Sequence, residues 1–178
     1  MNYEQQELDL HTIETFGDLQ VHIPKETITG LNISAIDMFM NAASQPHTDT
    51  KTVKLYHEVI TREEVKEYKD DYVLFAHYLD RYNKYGEPVP LHFINKYVDG
   101  CIDTIWCILC ELRGLGLDPV ALFNEVARSN LSKIADSGNI EKNAAGKVMK
   151  PAGYSAPQLD SILMQSALVR ELDKGRIF

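Results

Sequence analysis

After about residue 32 the apolar positions recur at steps of three and four, and the run is interrupted wherever a glycine, a proline or a capping residue falls. A short helix from Ser34, with Ser34 as its cap, carries Ile36, Phe39 and Met40 on one side and stops before Pro46. A second helix begins at Asp49 or Thr50 with Val53, Tyr56 and Ile60 inward. The segment from Asp71 to Tyr85, rich in Tyr and Phe, is also helical in pattern and closes at Gly86, Pro88 and Pro90. From Leu91 follows the most hydrophobic stretch. Ile102, Ile105, Trp106, Cys107, Ile108, Leu109, Cys110 and Leu112 cover nearly its whole circumference, which predicts a helix buried on all sides. Gly114 and Gly116 end it. Asp118-Pro119 starts another, which runs to about Lys133 with the proline in the first turn, where its missing N–H costs nothing.

Two segments lack that step. Residues 1–32 show only the alternation of Leu19, Val21 and Ile23 between Gly17 and Pro24, which reads as a short strand or hairpin arm. They are set apart as an N-terminal extension. From about Ala135 to Gly153 runs a loop containing Gly, Asn and Lys, long enough to suggest function. A last helix opens at Ser155 and Pro157, with Leu159, Ile162, Leu163 and Ala167 inward. Residues 33–178 are therefore expected to form one all-α domain, a helical bundle.

Composition narrows the classes. With 178 residues, 44% hydrophobic and 25% charged, the chain has the balance of an ordinary globular domain. No run approaches the roughly 18 apolar residues of a spanning helix, and the polar, acidic N-terminus lacks the pattern of a secretory signal, so a cytoplasmic protein without a membrane partner is expected. A net charge of −8 argues against binding a nucleic-acid polymer, which needs a field of Lys and Arg, but not against a small polyphosphate accompanied by metal ions. Cys101, Cys107 and Cys110 lie in one apolar segment with no second pair to complete a zinc site, and read as buried thiols.

The inward stripe of the second helix turns acidic halfway along. Glu67 follows Glu64 by three residues and Glu63 by four, so all three can approach one face. A solvated surface face is the ordinary alternative for such a turn. Asp99 and Asp103, four apart, lie within or at the edge of the apolar helix, where an unpaired carboxylate costs several kcal/mol. A salt bridge to Lys96 or Arg128 would compensate part of that cost. A divalent metal shared with the glutamates would satisfy both pairs, and Mg²⁺, a hard cation taking carboxylates, waters and phosphates, suits them. The chemistry this predicts is metal-assisted hydrolysis of a phosphate compound. Lys133, Lys142, Lys147 and Lys150 stand against Asp136 and Glu141 in the late loop, four positive against two negative, which suits a polyphosphate or a solvated surface loop.

These residues together resemble the all-α nucleoside triphosphate pyrophosphohydrolases, the MazG-like superfamily that includes dimeric dUTPases and phosphoribosyl-ATP pyrophosphohydrolase. Glu63, Glu64 and Glu67 match its Glu-Glu-x-x-Glu helix, and Asp99 and Asp103 followed by Ile105-Trp106 are similar to the Asp-x-x-x-Asp version of small bacterial and phage members. The run from Asn124 to Lys133, with Ser129-Asn130-Leu131-Ser132-Lys133, then Gly146-Lys147-Val148-Met149-Lys150-Pro151 and Gly153 to Pro157, is similar to later segments of the same members. The likeness spans roughly residues 36 to 165. A strict Glu-x-x-Asp is missing: Gly100 or Lys96 stands where its glutamate would be.

The resemblance implies a Mg²⁺-dependent hydrolase, with Mn²⁺ as a substitute, converting a nucleoside or deoxynucleoside triphosphate to the monophosphate and pyrophosphate. Glu64, Glu67, Asp99 and Asp103 would hold the metal and Glu63 would act on the attacking water. Asn130, Lys133, Lys147, Lys150 and Tyr154 would contact the nucleotide, in a homodimer or homotetramer. A non-catalytic nucleotide-binding or interaction module with the same fold is the alternative. A His/Asp phosphohydrolase is disfavoured, because no His-Asp dipeptide exists and the histidines show no ligand spacing.

Overall fold

The computed structural model describes residues 32–134 and 138–174. The strand expected at residues 19–23 lies outside them. Every regular element among the described residues is helical, and the only β pairing is a single antiparallel bridge between Lys142 and Val148. The domain is all-α, with helices packed as a bundle, and no described helix is long and apolar enough to cross a membrane.

Helix α1 (Ile33–Ala42) begins one residue earlier than the pattern predicts. The Asn32 side chain, not Ser34, caps it, accepting from the Ala35 N–H at 3.1 Å. Its buried face is Ile36 and Met40. Helix α2 (Thr50–Leu55) is capped by Asp49, whose carboxylate accepts from the Thr52 N–H at 2.9 Å and from its hydroxyl at 3.1 Å. These bonds hold the Asp49 carboxyl below its ordinary range.

Helix α2 does not stop. It passes through one π-helical turn, Tyr56–Ile60, directly into α3 (Thr61–Tyr85), so what reads as two helical segments is one continuous rod. The wide turn carries Tyr56, which is buried and donates from its hydroxyl to Gln45 Oε1 at 2.5 Å. Gly86, at φ +69°, terminates the rod in the left-handed conformation, its N–H returning to the Tyr82 carbonyl.

Helix α4 (Leu91–Gly114) runs back antiparallel along α3. An aromatic seam joins them: the Tyr97 ring lies 4.7 Å from Phe75 and 5.7 Å from both Tyr68 and Tyr72, and Phe93 stacks on Tyr78 at 4.4 Å. At the other end, Cys107 and Cys110 of α4 join Ile36, Met40 and Tyr56 in the core, with Trp106 and Leu109 against them. All three cysteines are free; Cys101 is half-buried. Arg113 ties this end to α1 by donating two bonds to Asp37, at 2.7 and 3.0 Å, and it donates separately to the Leu117 carbonyl just after α4.

One expectation fails here. Helix α4 is not buried all round, because Ile102, Ile105 and Ile108 are exposed. A helix that is apolar on every side matches burial by any partner, and within this chain α3 and the core cover only part of its circumference.

Asp118 caps α5 (Pro119–Leu131), accepting from the Val120 N–H at 2.9 Å. The expected last helix is two short ones, α6 (Asp160–Leu163) and α7 (Ala167–Lys174), parted at Ser166. The Ser166 hydroxyl is drawn to the Leu115 carbonyl at 2.5 Å, and Ala167, expected inward, is exposed.

Candidate active site

Glu63 and Glu64 lie in the first turn of α3 and Glu67 one turn on; Asp99 and Asp103 project from the facing stretch of α4. Helical spacing brings each set to one side, and the close α3–α4 approach at Gly100, between the two aspartates, brings the sets together. A Cβ at Gly100 would meet the Tyr68 Cα at 3.1 Å.

Electrostatics record the convergence. Burial first, then the charges of Asp103, Glu67, Glu63 and Asp99, raise the Glu64 carboxyl above its ordinary value. Five carboxylates therefore share one region around Glu64. They are not sunk into a core, as the apolar surroundings in the sequence suggest. Glu63, Glu67, Asp99 and Asp103 are exposed and only Glu64 is half-buried, because the helix beneath them is itself partly open to solvent.

The salt-bridge alternative is not realised among the described residues. Arg128 bonds Glu125 at 2.7 Å instead, and Lys96 has no ion pair. Lys66, on the same turn as Glu67, is taken by Asp70 at 2.6 Å. Glu63 also borders an open depression of about 780 Å³ shared with Arg62 and Lys69.

No three His, Cys, Asp or Glu side chains among the described residues close into a metal cage. The donors of the cluster are all carboxylate oxygens, the kind a hard cation takes together with several waters. Glu64 and Glu67 from α3, with Asp99 and Asp103 from α4, are the residues that could hold it. The nearby Cys107 thiol is pushed up to about 12, by burial first and then by Glu64, Cys110 and Asp103.

A second cluster forms where α5 ends. Lys133 Nζ donates to Asn130 Oδ1 at 2.6 Å, and the ammonium groups of Lys150 and Lys133 lie 4.6 and 5.9 Å from the Tyr154 ring centre. A hydrogen bond with Ser129, then the charges of Lys150 and Lys133, hold the Tyr154 phenol below its ordinary value. Four of the five expected nucleotide contacts thus stand together. Lys147 does not join them: it sits in the tight turn made by Asn143 and Gly146, with its backbone N–H on Asn143 Oδ1 at 2.9 Å.

Sequence reasoning missed the residues that build this cluster. Buried Ser129 touches Tyr154, and the Ser132 hydroxyl accepts from the Ser155 N–H at 2.9 Å while donating to the Ser129 carbonyl at 2.7 Å. Glu125 and Arg128 complete the anchorage. Glu125 accepts from the Gln158 N–H at 2.6 Å, and Arg128 donates to Ser155 Oγ and the Ala156 carbonyl. Two serines in the Ser-Asn-Leu-Ser-Lys run at helical spacing were the available signal.

The chain thus carries an oxygen-rich acidic cluster on the α3–α4 hairpin and a lysine–tyrosine cluster after α5, with no ion pair joining the two among the described residues. No protein-family model matches the sequence, and no curated protein matches it.

Proposed function

We propose that the protein is a MazG-like pyrophosphohydrolase that cleaves a nucleoside or deoxynucleoside triphosphate to the monophosphate and pyrophosphate, serving nucleotide-pool control in the cytoplasm. The observation that carries this reading is the gathering of five carboxylates from two helices around Glu64, uncompensated by any lysine or arginine ion pair among the described residues. Mg²⁺, when bound by Glu64, Glu67, Asp99 and Asp103, supplies charge neutralisation for the phosphates. Glu63 orients a water and takes its proton. The bond that breaks joins the α-phosphorus to the bridging oxygen, and the departing pyrophosphate is steadied by lysine ammonium groups such as those of Lys133 and Lys150.

The lysine–tyrosine cluster supports the same reading, since two ammonium groups beside an aromatic ring suit a nucleotide's phosphates and base. The resemblance extends the reading to a homo-oligomer. One observation favours a non-catalytic nucleotide-binding module instead, namely that the exposed carboxylates do not close into a metal cage. Incubating each common nucleoside triphosphate with Mg²⁺ or Mn²⁺ and identifying the products separates the two. Monophosphate and pyrophosphate are expected; diphosphate with orthophosphate, or no turnover of any triphosphate, overturns the proposal.

A further inference from the structure

We propose that the hydroxyls of Thr61 and Thr104 are the donors that position the Glu64 carboxylate for its cation. This rests on the metal reading above and adds to it two residues that act through Glu64.

Four contacts fix how the rod and α4 run against each other. Tyr78 stacks on Phe93 and Phe75 on Tyr97, Tyr68 meets Gly100, and His57 Nδ1 lies 3.1 Å from Glu111 Oε1. The last two pairs bracket two more rows of the same antiparallel seam. One turn from Tyr68 and Gly100 come Glu64 on one helix and Thr104 on the other; a further turn brings Thr61 and Cys107. The Glu64 charge is felt at the Cys107 thiol, as this order requires.

In those rows the Oγ1 atoms of both threonines are buried, and neither has a hydrogen-bond partner among the described residues. A hydroxyl shut away from water calls for an acceptor. The side chains these rows offer are the Cys107 thiol, a weak acceptor, and the Glu64 carboxylate, a strong one. Glu64 is half-buried while Glu63, Glu67, Asp99 and Asp103 are exposed, so it is the carboxylate of the cluster that enters the seam. Thr61 stands three residues before it on the same helical face, and Thr104 stands level with it across the seam. Rotation about side-chain bonds brings both hydroxyls toward its oxygens.

The chemistry gives the donors a task. The like charges of Asp103, Glu67, Glu63 and Asp99 work against ionisation of Glu64, whereas hydroxyls donating to it favour the ionised form that a cation takes. A carboxylate that binds a cation through one oxygen keeps lone pairs on the other. Donors held there fix its orientation, and such outer partners set much of the affinity of a metal site.

The test is Mg²⁺ binding to the full chain, measured by titration calorimetry without nucleotide. Thr104→Val and Thr61→Val keep the shape of the side chain and remove the donor, whereas Thr104→Ser and Thr61→Ser keep the donor. Each valine variant is expected to weaken Mg²⁺ binding about tenfold, and the serine variants to stay close to the native value. The metal-free Tm of the valine variants should hold or rise, since a buried donor without a partner is removed, and helical circular dichroism should not change. Threonines that merely support the fold give the opposite split, a lower metal-free Tm with Mg²⁺ affinity unaltered, and that result overturns the proposal. Equal losses in the valine and serine variants overturn it too, because the hydroxyl is then not what matters, and so does a native protein that binds no Mg²⁺. The hydrolysis reading is decided separately by product analysis. A protein whose Mg²⁺ affinity depends on these hydroxyls but which turns over no triphosphate keeps this inference and loses that activity.

Discussion

Gly100 lies tightly against the backbone of Tyr68: a Cβ there would stand 3.1 Å from the Tyr68 Cα. The contact occurs between Asp99 and Asp103 on one helix and one residue after Glu67 on the other. Helix spacing and the acidic cluster are therefore set by the same glycine.

Gly100→Val is accordingly expected to force the helices apart, against a backbone atom that cannot rotate away. Overpacking of this kind costs about 2 kcal/mol. At this chain length that lowers Tm by roughly 4–8 °C. Thermal unfolding measures it, and turnover of the best triphosphate should fall as well, because the carboxylates of α3 and α4 move apart.

Glu64 is crowded by four like charges, so Glu64→Gln relieves repulsion while removing a ligand. Without metal the variant is expected to unfold at the same temperature as the unaltered protein or slightly above it. Mg²⁺ should raise Tm for the unaltered protein and not for the variant. Hydrolysis should fall by about 100-fold or more. A variant that retains turnover removes Glu64 from the site.

The Glu125 carboxyl is held at about 2 by its bonds to Arg128 and the Gln158 N–H. A depressed carboxyl contributes stability that is complete above its unfolded value and is lost as pH falls through the folded one. Glu125→Gln should therefore lower Tm at pH 7, and the gap between the two proteins should close as pH falls from about 4.5 toward 2. Melting curves across that range check it.

Tyr154 should ionise before an ordinary tyrosine, and Lys150→Ala should move its titration upward by removing the nearer of its two charges. Absorbance of the phenolate, compared with Tyr154→Phe to isolate the signal, resolves the shift. In the proposed enzyme Lys150→Ala should also raise KM several-fold with a smaller change in kcat.

The sequence announces where helices begin and end when a single residue decides the matter. Gly86 closes α3, Asp118 opens α5, and both act through bonds to their immediate neighbours. It says less where the outcome depends on a partner. Ile102 and Ile105 are as apolar as Cys107, yet only Cys107 faces the core, because hydrophobicity states that a residue leaves water and not what it meets. The exposure of the carboxylates was hidden for the same reason. The continuous rod through Tyr56 was also illegible, since a π turn is a local widening that leaves no fixed residue pattern. In the acidic cluster the helical spacing of Glu64, Glu67, Asp99 and Asp103 was readable, whereas the anchoring of Tyr154 by Ser129, Ser132 and Arg128 joins segments more than twenty residues apart.

Helix α3 is 25 residues long and buries none of them fully, whereas the core around Tyr56 and Cys110 lies at the opposite end of the hairpin from Phe93 and Tyr78. Resistance to opening is therefore graded along the pair. Amide protons near the Gly86 turn should exchange with solvent through local opening, and those near Cys110 only when the whole domain unfolds. The acidic cluster stands between these regimes, so a cation bridging the two helices would act as a clasp, spreading the firmness of the base into the arm.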